Sequence, residues 1–433
     1  MGRSQKVTRD RLNQNGIWFE SDVRFDYEQS PPYLQNFRDI ILDFYGVIEV
    51  RINKHDKCVE YRSDPRDPFK PHYPTERGND SLVSQTIKRA QNIQWKATDL
   101  DHRSDEKEWD DLFYSYMLKP LGDYWQPQAT DTRFIERQKA LYERFECHGD
   151  KLWTLFKTNF RADERLELTV PKPDRMLSFP IYNTKNANRL SRDEDHWRWK
   201  GTPVVTENFS LEVLEQLWNN GKGLCSSPFD IYSKAKAGNH RSKDTYRPKD
   251  HQCFPWLVVE HKKATNAEFC YCQAANASSA ALMLLESAAQ YAETRYDGLL
   301  VPPIPVITTV GKRVRVWIAW HSFIDSGPDD EPDDASASAS DEKSDSEYDQ
   351  YTDSEYEADY QPDDDISSEG NDDDGGNRQS NYMMEYIWEG ELTNIVDIIE
   401  LEAILGNIHT WAMRDLKPLL SSYIGNWRSQ LGV

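Results

Sequence analysis

The chain has 433 residues and a formal net charge of -22, a length that allows one large domain or two to three average ones. The window 325–375 alone holds 22 acidic side chains and a single base, Lys343, so the rest of the chain is close to neutral. The overall acidity therefore says nothing about what the folded part binds. The six cysteines show no Cys-x-x-Cys pair and no Cys/His cluster at zinc spacing, which excludes the common structural zinc modules.

The N-terminus, Met1–Lys6, is polar and basic, and no apolar core follows it. A secretory signal needs such a core. A transmembrane helix needs about 18 consecutive apolar residues, and the chain has no such run. We therefore expect a protein of the nucleus or cytoplasm, neither secreted nor in a membrane, with reduced and mostly buried thiols.

The first 80 residues carry few signals, and we interpret 1–80 as an N-terminal extension. Their hydrophobic spacing predicts a short amphipathic helix over 33–47 and one or two strands over 49–61. Four prolines between Pro65 and Pro74 then indicate a linker.

Helical periodicity follows this linker. It predicts helices over 81–95, 104–118 and 132–160. In the second of them, Glu106 and Trp109 lie three residues apart and so share one face.

A change of pattern follows the third helix. The stretch 166–179 alternates around a Pro-Lys-Pro-Asp turn, which predicts a strand or a hairpin. Asp174, the last residue of the turn, then opens a strand. A further helix is predicted over 210–219.

The segment 253–263 organises the rest of the pattern. Its first seven residues are apolar on both alternating faces, as in a central strand buried on both sides. It ends in charge: Glu260 and Lys262 point to one face and His261 to the other. A carboxylate and an ammonium at the end of a buried strand are costly without a partner or a task, so these residues are candidates for a site.

The remaining structured elements are a long alanine-rich helix, a two-stranded hairpin, one more strand and a mostly helical C-terminus, expected over 267–295, 304–323, 382–391 and 393–430. Between them, 325–380 is low-complexity sequence that cannot bury enough apolar surface to fold, and we predict disorder there. A strand resuming directly after this tract indicates an insertion within one domain. We therefore expect 81–324 and 381–433 to form a single α/β domain, with a central mixed sheet flanked by helices.

Taken together, these pieces resemble the PD-(D/E)XK nuclease superfamily, and in particular the PD-(D/E)XK nuclease-like proteins found in fungi. The resemblance rests on Pro173-Asp174 opening a strand, Glu260-His261-Lys262 closing a buried one, Gln273 in the helix that follows, and Glu106-x-x-Trp109 upstream. It spans about 81–424 and implies a restriction-endonuclease-like core. Asp174 and Glu260 lie 86 positions apart, and family members often carry a long insertion at this place.

The resemblance implies metal-dependent hydrolysis of phosphodiester bonds in nucleic acid. In that reading Asp174 and Glu260 hold Mg2+ or Mn2+, for which carboxylate oxygens are suitable hard ligands. Glu106 would complete the metal shell, and Glu108 is a neighbouring candidate for the same role.

Two further site residues follow from the same resemblance. Lys262 would orient the attacking water or stabilise the developing oxyanion. Gln273 would contact that water or the hydrogen bonds around it.

Nucleic acid is the expected partner, DNA ahead of RNA. A basic stretch offers candidate phosphate contacts, namely Lys234, Lys236, Arg241 and Lys243. Trp197 and Trp199 could stack on bases. Solvated surface for the basic stretch and half-buried packing for the tryptophans are the alternatives.

The same motifs also have structural readings. Glu-x-Lys at a strand end can be a cross-strand ion pair, and Pro-Lys-Pro-Asp is a common turn. The rival function is a catalytically inactive nuclease fold that serves as a binding module, with the acidic insertion binding basic partners. A third reading is a structural scaffold with Asp174 and Glu260 far apart, whereas one metal ion requires their carboxylates within ~5 Å. The acidic tract itself is either a solubilising insertion or a mimic of nucleic acid that covers a basic groove.

Overall fold

The computed structural model describes residues 7–28, 30–44, 49–52, 59–62, 80–100, 105–122, 145–157, 168–182, 205–220, 223–231, 251–263, 265–290, 301–323 and 380–432. The strands are β1 (Ile17–Arg24), β2 (Glu49–Ile52), β3 (Val59–Arg62), β4 (Glu146–Gly149), β5 (Arg175–Pro180), β6 (Gln252–Lys262), β7 (Ile304–Val310), β8 (Arg313–Phe323) and β9 (Ser380–Glu391). The helices are α1 (Arg9–Gln14), α2 (Pro32–Ile41), α3 (Asp80–Leu100), α4 (Glu106–Phe113), α5 (Lys119–Gly122), α6 (Val205–Asn208), α7 (Leu211–Asn219), α8 (Ala267–Ala289), α9 (Ile395–Trp411) and α10 (Lys417–Leu431). Short π-helical turns at Tyr114–Leu118 and Ala412–Leu416 continue α4 and α9.

Seven strands form one mixed sheet in the order β1-β9-β8-β7-β6-β5-β4, while β2 and β3 form a separate antiparallel pair. Strands β6 and β7 run parallel, as do β1 and β9. Strand β5 is antiparallel to both β4 and β6, and β7 is antiparallel to β8. The chain is thus an α/β protein with a mixed sheet and helices, as the sequence predicts.

The predicted central strand is β6, and each of its residues is buried. It lies between β5 and β7, and helices α8 and α4 both pack against it. Helix α8 buries a row of small side chains, including Ala274, Ala277 and Ala281, which allows a helix to lie close to a sheet. Beyond β7, Gly311 takes the positive φ of 59° that a two-residue hairpin turn requires, and its amide donates to the Lys262 carbonyl at 2.8 Å. The hairpin turn therefore also fixes the end of β6.

The described residues 7–28 and 30–44 pack into this fold, so for them the interpretation of 1–80 as an extension outside the domain is wrong. Strand β1 forms an edge of the seven-stranded sheet, with Ile17 opposite Tyr382 of β9. In addition, the buried Asn407 side chain of α9 donates to the carbonyls of Ile41 and Asp43, at 3.0 and 2.9 Å. The pattern of β1 is short, and its partner strand lies more than 350 positions away, so spacing along the chain could not reveal the pairing.

The long helix predicted over 132–160 is also wrong where the structure describes it. Residues 146–149 form β4, antiparallel to β5, and 154–157 form a single 3-10 turn. A non-local strand partner decides the conformation here, and local propensity is a weak guide in that situation.

Several predictions fall outside the described residues. They include disorder of the acidic tract, the four basic candidates Lys234, Lys236, Arg241 and Lys243, and the tryptophans Trp197 and Trp199. The described residues within 1–322 and 381–433 form one compact unit. Among the described helices, none is long and apolar enough to cross a membrane.

Candidate functional site

The candidate site lies where the start of β5 meets the end of β6. These strands are antiparallel with Arg175 opposite Val259, so Asp174 stands opposite Glu260. One carboxylate oxygen of Asp174, Oδ2, accepts a hydrogen bond from the backbone N–H of His261 at 2.7 Å. The pairing of two strands thus brings together residues that are 86 positions apart in the sequence.

Glu260 is a buried acid beside a second acid. Its side chain stands opposite Asp174 across the two strands, and the two acids interact. Burial raises the pKa of Glu260 well above its usual range, the negative charge of Asp174 raises it further, and the nearby Lys262 ammonium only partly opposes these effects. Its Oε2 atom is buried and has no hydrogen-bond partner among the described residues. Such an oxygen is suited to a proton or a cation.

Lys262 supplies the positive charge at this place. Its Nζ lies 2.7 Å from Glu106 Oε1 and 3.3 Å from Asp174 Oδ2, and it donates to the His261 carbonyl at 2.6 Å. Burial by itself would lower the pKa of this ammonium, but the neighbouring carboxylates, Asp174 first, outweigh burial and raise the pKa. Lys262 is therefore charged in the folded protein, with oxygen atoms on three sides.

Helix α4 brings Glu106, and not Glu108, to the site. Glu108 completes a capping box with Asp105: each side chain accepts a hydrogen bond from the backbone N–H of the other residue, at 3.0 and 3.1 Å. That arrangement satisfies two N–H groups at the helix start. The alternative assignment of the metal-shell role to Glu108 therefore does not hold.

Glu106 and Glu108 lie two positions apart in the first turn of α4 and allow a matched comparison. For the metal-dependent cleavage that the resemblance implies, we expect Glu106→Gln to reduce the rate about 10-fold or more, because it removes a charge that touches Lys262. We expect Glu108→Gln to keep the capping hydrogen bond, because an amide oxygen can also accept it, to lose about 0.3–1 kcal/mol of charge–dipole interaction at the helix start, and to leave cleavage unchanged. Cleavage rates and urea unfolding of both variants would test this. An equal loss of activity in the two variants would contradict it.

Sequence reasoning missed Asp110. Its carboxylate forms a bidentate ion pair with Arg175, at 2.7 and 2.6 Å, and lies 3.4 Å from His261 Nε2. The available signal was its spacing: Asp110 lies four residues after Glu106 on a helix and so shares its face.

His261 is a buried residue packed against α4, with its ring edge-on to Phe113. Its Nδ1 shares a hydrogen bond with Thr309 Oγ1 at 2.5 Å. Burial lowers the pKa of His261 to about 4, although the nearby Asp174 and Asp110 act in the opposite direction. The imidazole is therefore neutral near pH 7.

This lowered pKa predicts acid destabilisation. The unfolded chain binds a proton on His261 below about pH 6.5, whereas the folded chain does so only near pH 4. Stability is therefore fully present above pH 6.5 and is lost as the pH falls to about 4, by roughly 3 kcal/mol. Unfolding free energies of wild type and His261→Gln between pH 4 and 7 should converge as the pH falls. Because Glu260 is present in both proteins, its contribution cancels, and parallel curves would refute the prediction.

Gln273 lies on α8, one turn after Cys270, whose Sγ contacts the carbonyl of Glu260 at 3.6 Å. The Oε1 atom of Gln273 is buried and has no hydrogen-bond partner among the described residues. No hydrogen bond of the described residues joins Gln273 to Asp174, Glu260 or Lys262. Its role toward the attacking water therefore stays a prediction.

The donor set suits a hard divalent cation in part. Asp174 and Glu260 offer adjacent carboxyls, and Glu260 Oε2 is buried without a partner, as expected of ligands for Mg2+ or Mn2+. Glu106 is instead engaged by Lys262. In the part of the chain that the structure describes, no group of three or more His, Cys, Asp or Glu side chains is arranged to hold a metal ion. Asp174 and Glu260 are therefore the two candidate ligands for such an ion, and Glu106 is not a third.

Comparisons with protein-family models, with curated proteins and with solved structures returned no match. The roles considered for Asp174, Glu260 and Lys262 accordingly rest on the resemblance of their motif and on their own contacts.

Proposed function

We propose that the chain is a metal-dependent nuclease of the PD-(D/E)XK type, with a restriction-endonuclease-like core, that hydrolyses phosphodiester bonds in nucleic acid. One observation carries the proposal: Asp174 and Glu260 stand opposite each other at adjoining strand ends, with the Lys262 ammonium 3.3 Å from Asp174. A buried acid with a raised pKa beside a fixed cation, as Glu260 is, is typical of a functional site.

In this mechanism Asp174 and Glu260 would hold Mg2+ or Mn2+. The bound ion would neutralise charge on the scissile phosphate and acidify a water molecule. Lys262 would donate a hydrogen bond to that water or to the developing oxyanion. Glu106 would keep the ammonium in place through its 2.7 Å contact.

The direct test is cleavage of labelled single- and double-stranded DNA and RNA with Mg2+ or Mn2+. Wild type would be compared with Glu260→Gln and with Glu108→Gln, the capping-box acid, as control. Cutting by wild type and Glu108→Gln, lost in Glu260→Gln, would support the nuclease. Metal-independent cutting, or equal cutting by all three proteins, would overturn it.

A second candidate is a catalytically inactive nuclease fold that binds nucleic acid or a basic protein. The observation in its favour is that Lys262 already pairs with Glu106 and Asp174 within the protein. It predicts binding of nucleic acid or of basic proteins without cleavage. A variant lacking 325–375 separates the nuclease from the binding module. A gain of cleavage in this variant would make the acidic tract an inhibitor of a nuclease. Loss of binding to basic proteins, without any cleavage, would favour the binding module.

A further inference from the structure

The ion pair between Asp110 and Arg175 joins α4 to β5. Both oxygens of Asp110 are used, toward Nε and Nη2 of Arg175 at 2.7 and 2.6 Å, and both side chains are only 18% exposed. The Arg175 guanidinium also lies over the Tyr114 ring, 4.4 Å from its centre. A bidentate pair in this setting fixes orientation as well as distance, so it fixes how α4 lies on the start of β5.

Asp110 also faces β6. Its Oδ1 lies 3.4 Å from Nε2 of His261, the residue between Glu260 and Lys262. The backbone N–H of His261 in turn donates to Asp174. Asp110 thus contacts one residue on each of the two strands. Arg175 directly follows Asp174, and His261 directly follows Glu260.

One helical turn before Asp110 lies Glu106, on the same face of α4. Its side chain is 41% exposed and contacts Lys262 at 2.7 Å. Helix α4 continues through the π-helical turn Tyr114–Leu118 into α5, and most of the stability of a helix within a protein comes from its tertiary packing. The position of Glu106 over Lys262 therefore depends on what holds α4 against the two strands.

We propose that Asp110 is a positioning residue of the site: it clamps α4 to β5 through its bidentate pair with Arg175 and lies against His261 of β6, and so holds Glu106 and the Lys262 ammonium in register with Asp174 and Glu260. The inference rests on the proposed function for its catalytic meaning. Asp110 does not touch the reacting atoms in this scheme. It acts through Glu106 and Lys262.

The chain offers a matched control for this clamp. Glu402 of α9 forms the same kind of bidentate pair with Arg89 of α3, at 2.5 and 2.7 Å. Glu402→Gln therefore removes a comparable ion pair between two helices at another place. Asp110→Asn and Glu402→Gln would be compared in the full-length chain.

The first measurement is Mn2+ binding by calorimetry without substrate, together with cleavage rates against Mn2+ concentration. We expect Asp110→Asn to weaken Mn2+ binding about 10-fold or more, with the rate at saturating Mn2+ largely recovered, and Glu402→Gln to bind as wild type does. Equal Mn2+ affinity in Asp110→Asn and wild type would overturn the inference.

A second measurement tests the clamp independently of the nuclease. Urea midpoints would be recorded for Glu106→Gln in wild-type, Asp110→Asn and Glu402→Gln backgrounds. If Asp110 positions Glu106, the midpoint shift caused by Glu106→Gln should fall by about half or more in the Asp110→Asn background and stay unchanged in the Glu402→Gln background. Additive shifts in both backgrounds would reject the clamp. A wild type that neither binds Mn2+ nor cleaves, with the shift still reduced, would reject the proposed function and keep the clamp.

Discussion

Replacement of Glu260 by Gln is expected to reduce metal-dependent cleavage by about 10³-fold or more, because transition-state stabilisation worth several kcal/mol depends on the bound ion. The same change should leave the metal-free protein as stable as wild type, or more stable, at neutral pH. Glu260 is buried beside Asp174, and both conditions raise its pKa, so ionising it in the folded state is unfavourable. Gln has the same shape without that cost.

The pH dependence follows from the sign of this shift. An acid with a raised pKa in the folded state does not destabilise the fold below its unfolded pKa, near 4.3, and its destabilising effect grows as the pH rises through the folded pKa. The stability of Glu260→Gln relative to wild type should therefore increase with pH from about 4.3 upward, and added Mg2+ should reduce the difference by stabilising wild type alone. Urea unfolding with and without Mg2+ would measure this. If the Glu260 carboxylate instead stabilised the fold, Glu260→Gln would be less stable than wild type at neutral pH.

Lys262→Met is expected to have the second largest effect, and on stability as well as activity. Its side chain is 6% exposed, and its ammonium contacts two carboxylates, so its removal leaves negative charges close together without a counter-charge. Breaking a buried pair from one side costs about 3 kcal/mol. Cleavage should fall about 100-fold or more. Thermal and urea unfolding, with and without Mg2+, would measure the loss of stability and its partial recovery by the cation.

Lys312→Met is the matched control for this variant. Lys312 pairs with Glu391 at 3.4 Å, but the two side chains are 38% and 44% exposed. Ion pairs in such positions contribute about 0–1 kcal/mol, so Lys312→Met should lose little stability and no activity. Equal losses of stability in the two lysine variants would show that the contacts of Lys262 are no more than an ordinary surface ion pair.

Much of the site could be read from the chain because strand alternation and burial are local properties. A seven-residue apolar run ending in Glu260 and Lys262 predicts a buried strand with charges at its end, and β6 has that form. Asp174 at the end of a proline-containing turn predicts the start of a strand, and β5 begins at the next residue. The helices near Glu106 and Gln273 were also predictable, because their hydrophobic periodicity persists over several turns.

The choice between neighbouring acids was not predictable. Glu106 and Glu108 differ only by their places in the first turn of α4, and the capping box with Asp105 decides which of them is free to reach Lys262. The role of Asp110 depends on Arg175, which lies 65 positions away. Hydrophobic spacing contains no information about ion pairs of this kind.

By itself, the sequence therefore determined the α/β class, the buried central strand and the charged residues at its end, since periodicity and composition act over a few residues. The tertiary structure alone decided that β1 joins the sheet beside β9, that residues 146–149 are a strand, and that α4 presents Glu106 and Asp110 to β5 and β6. Each of these features depends on a partner far along the chain. Such a partner is selected by the free energy of packing the whole fold, which no local pattern encodes.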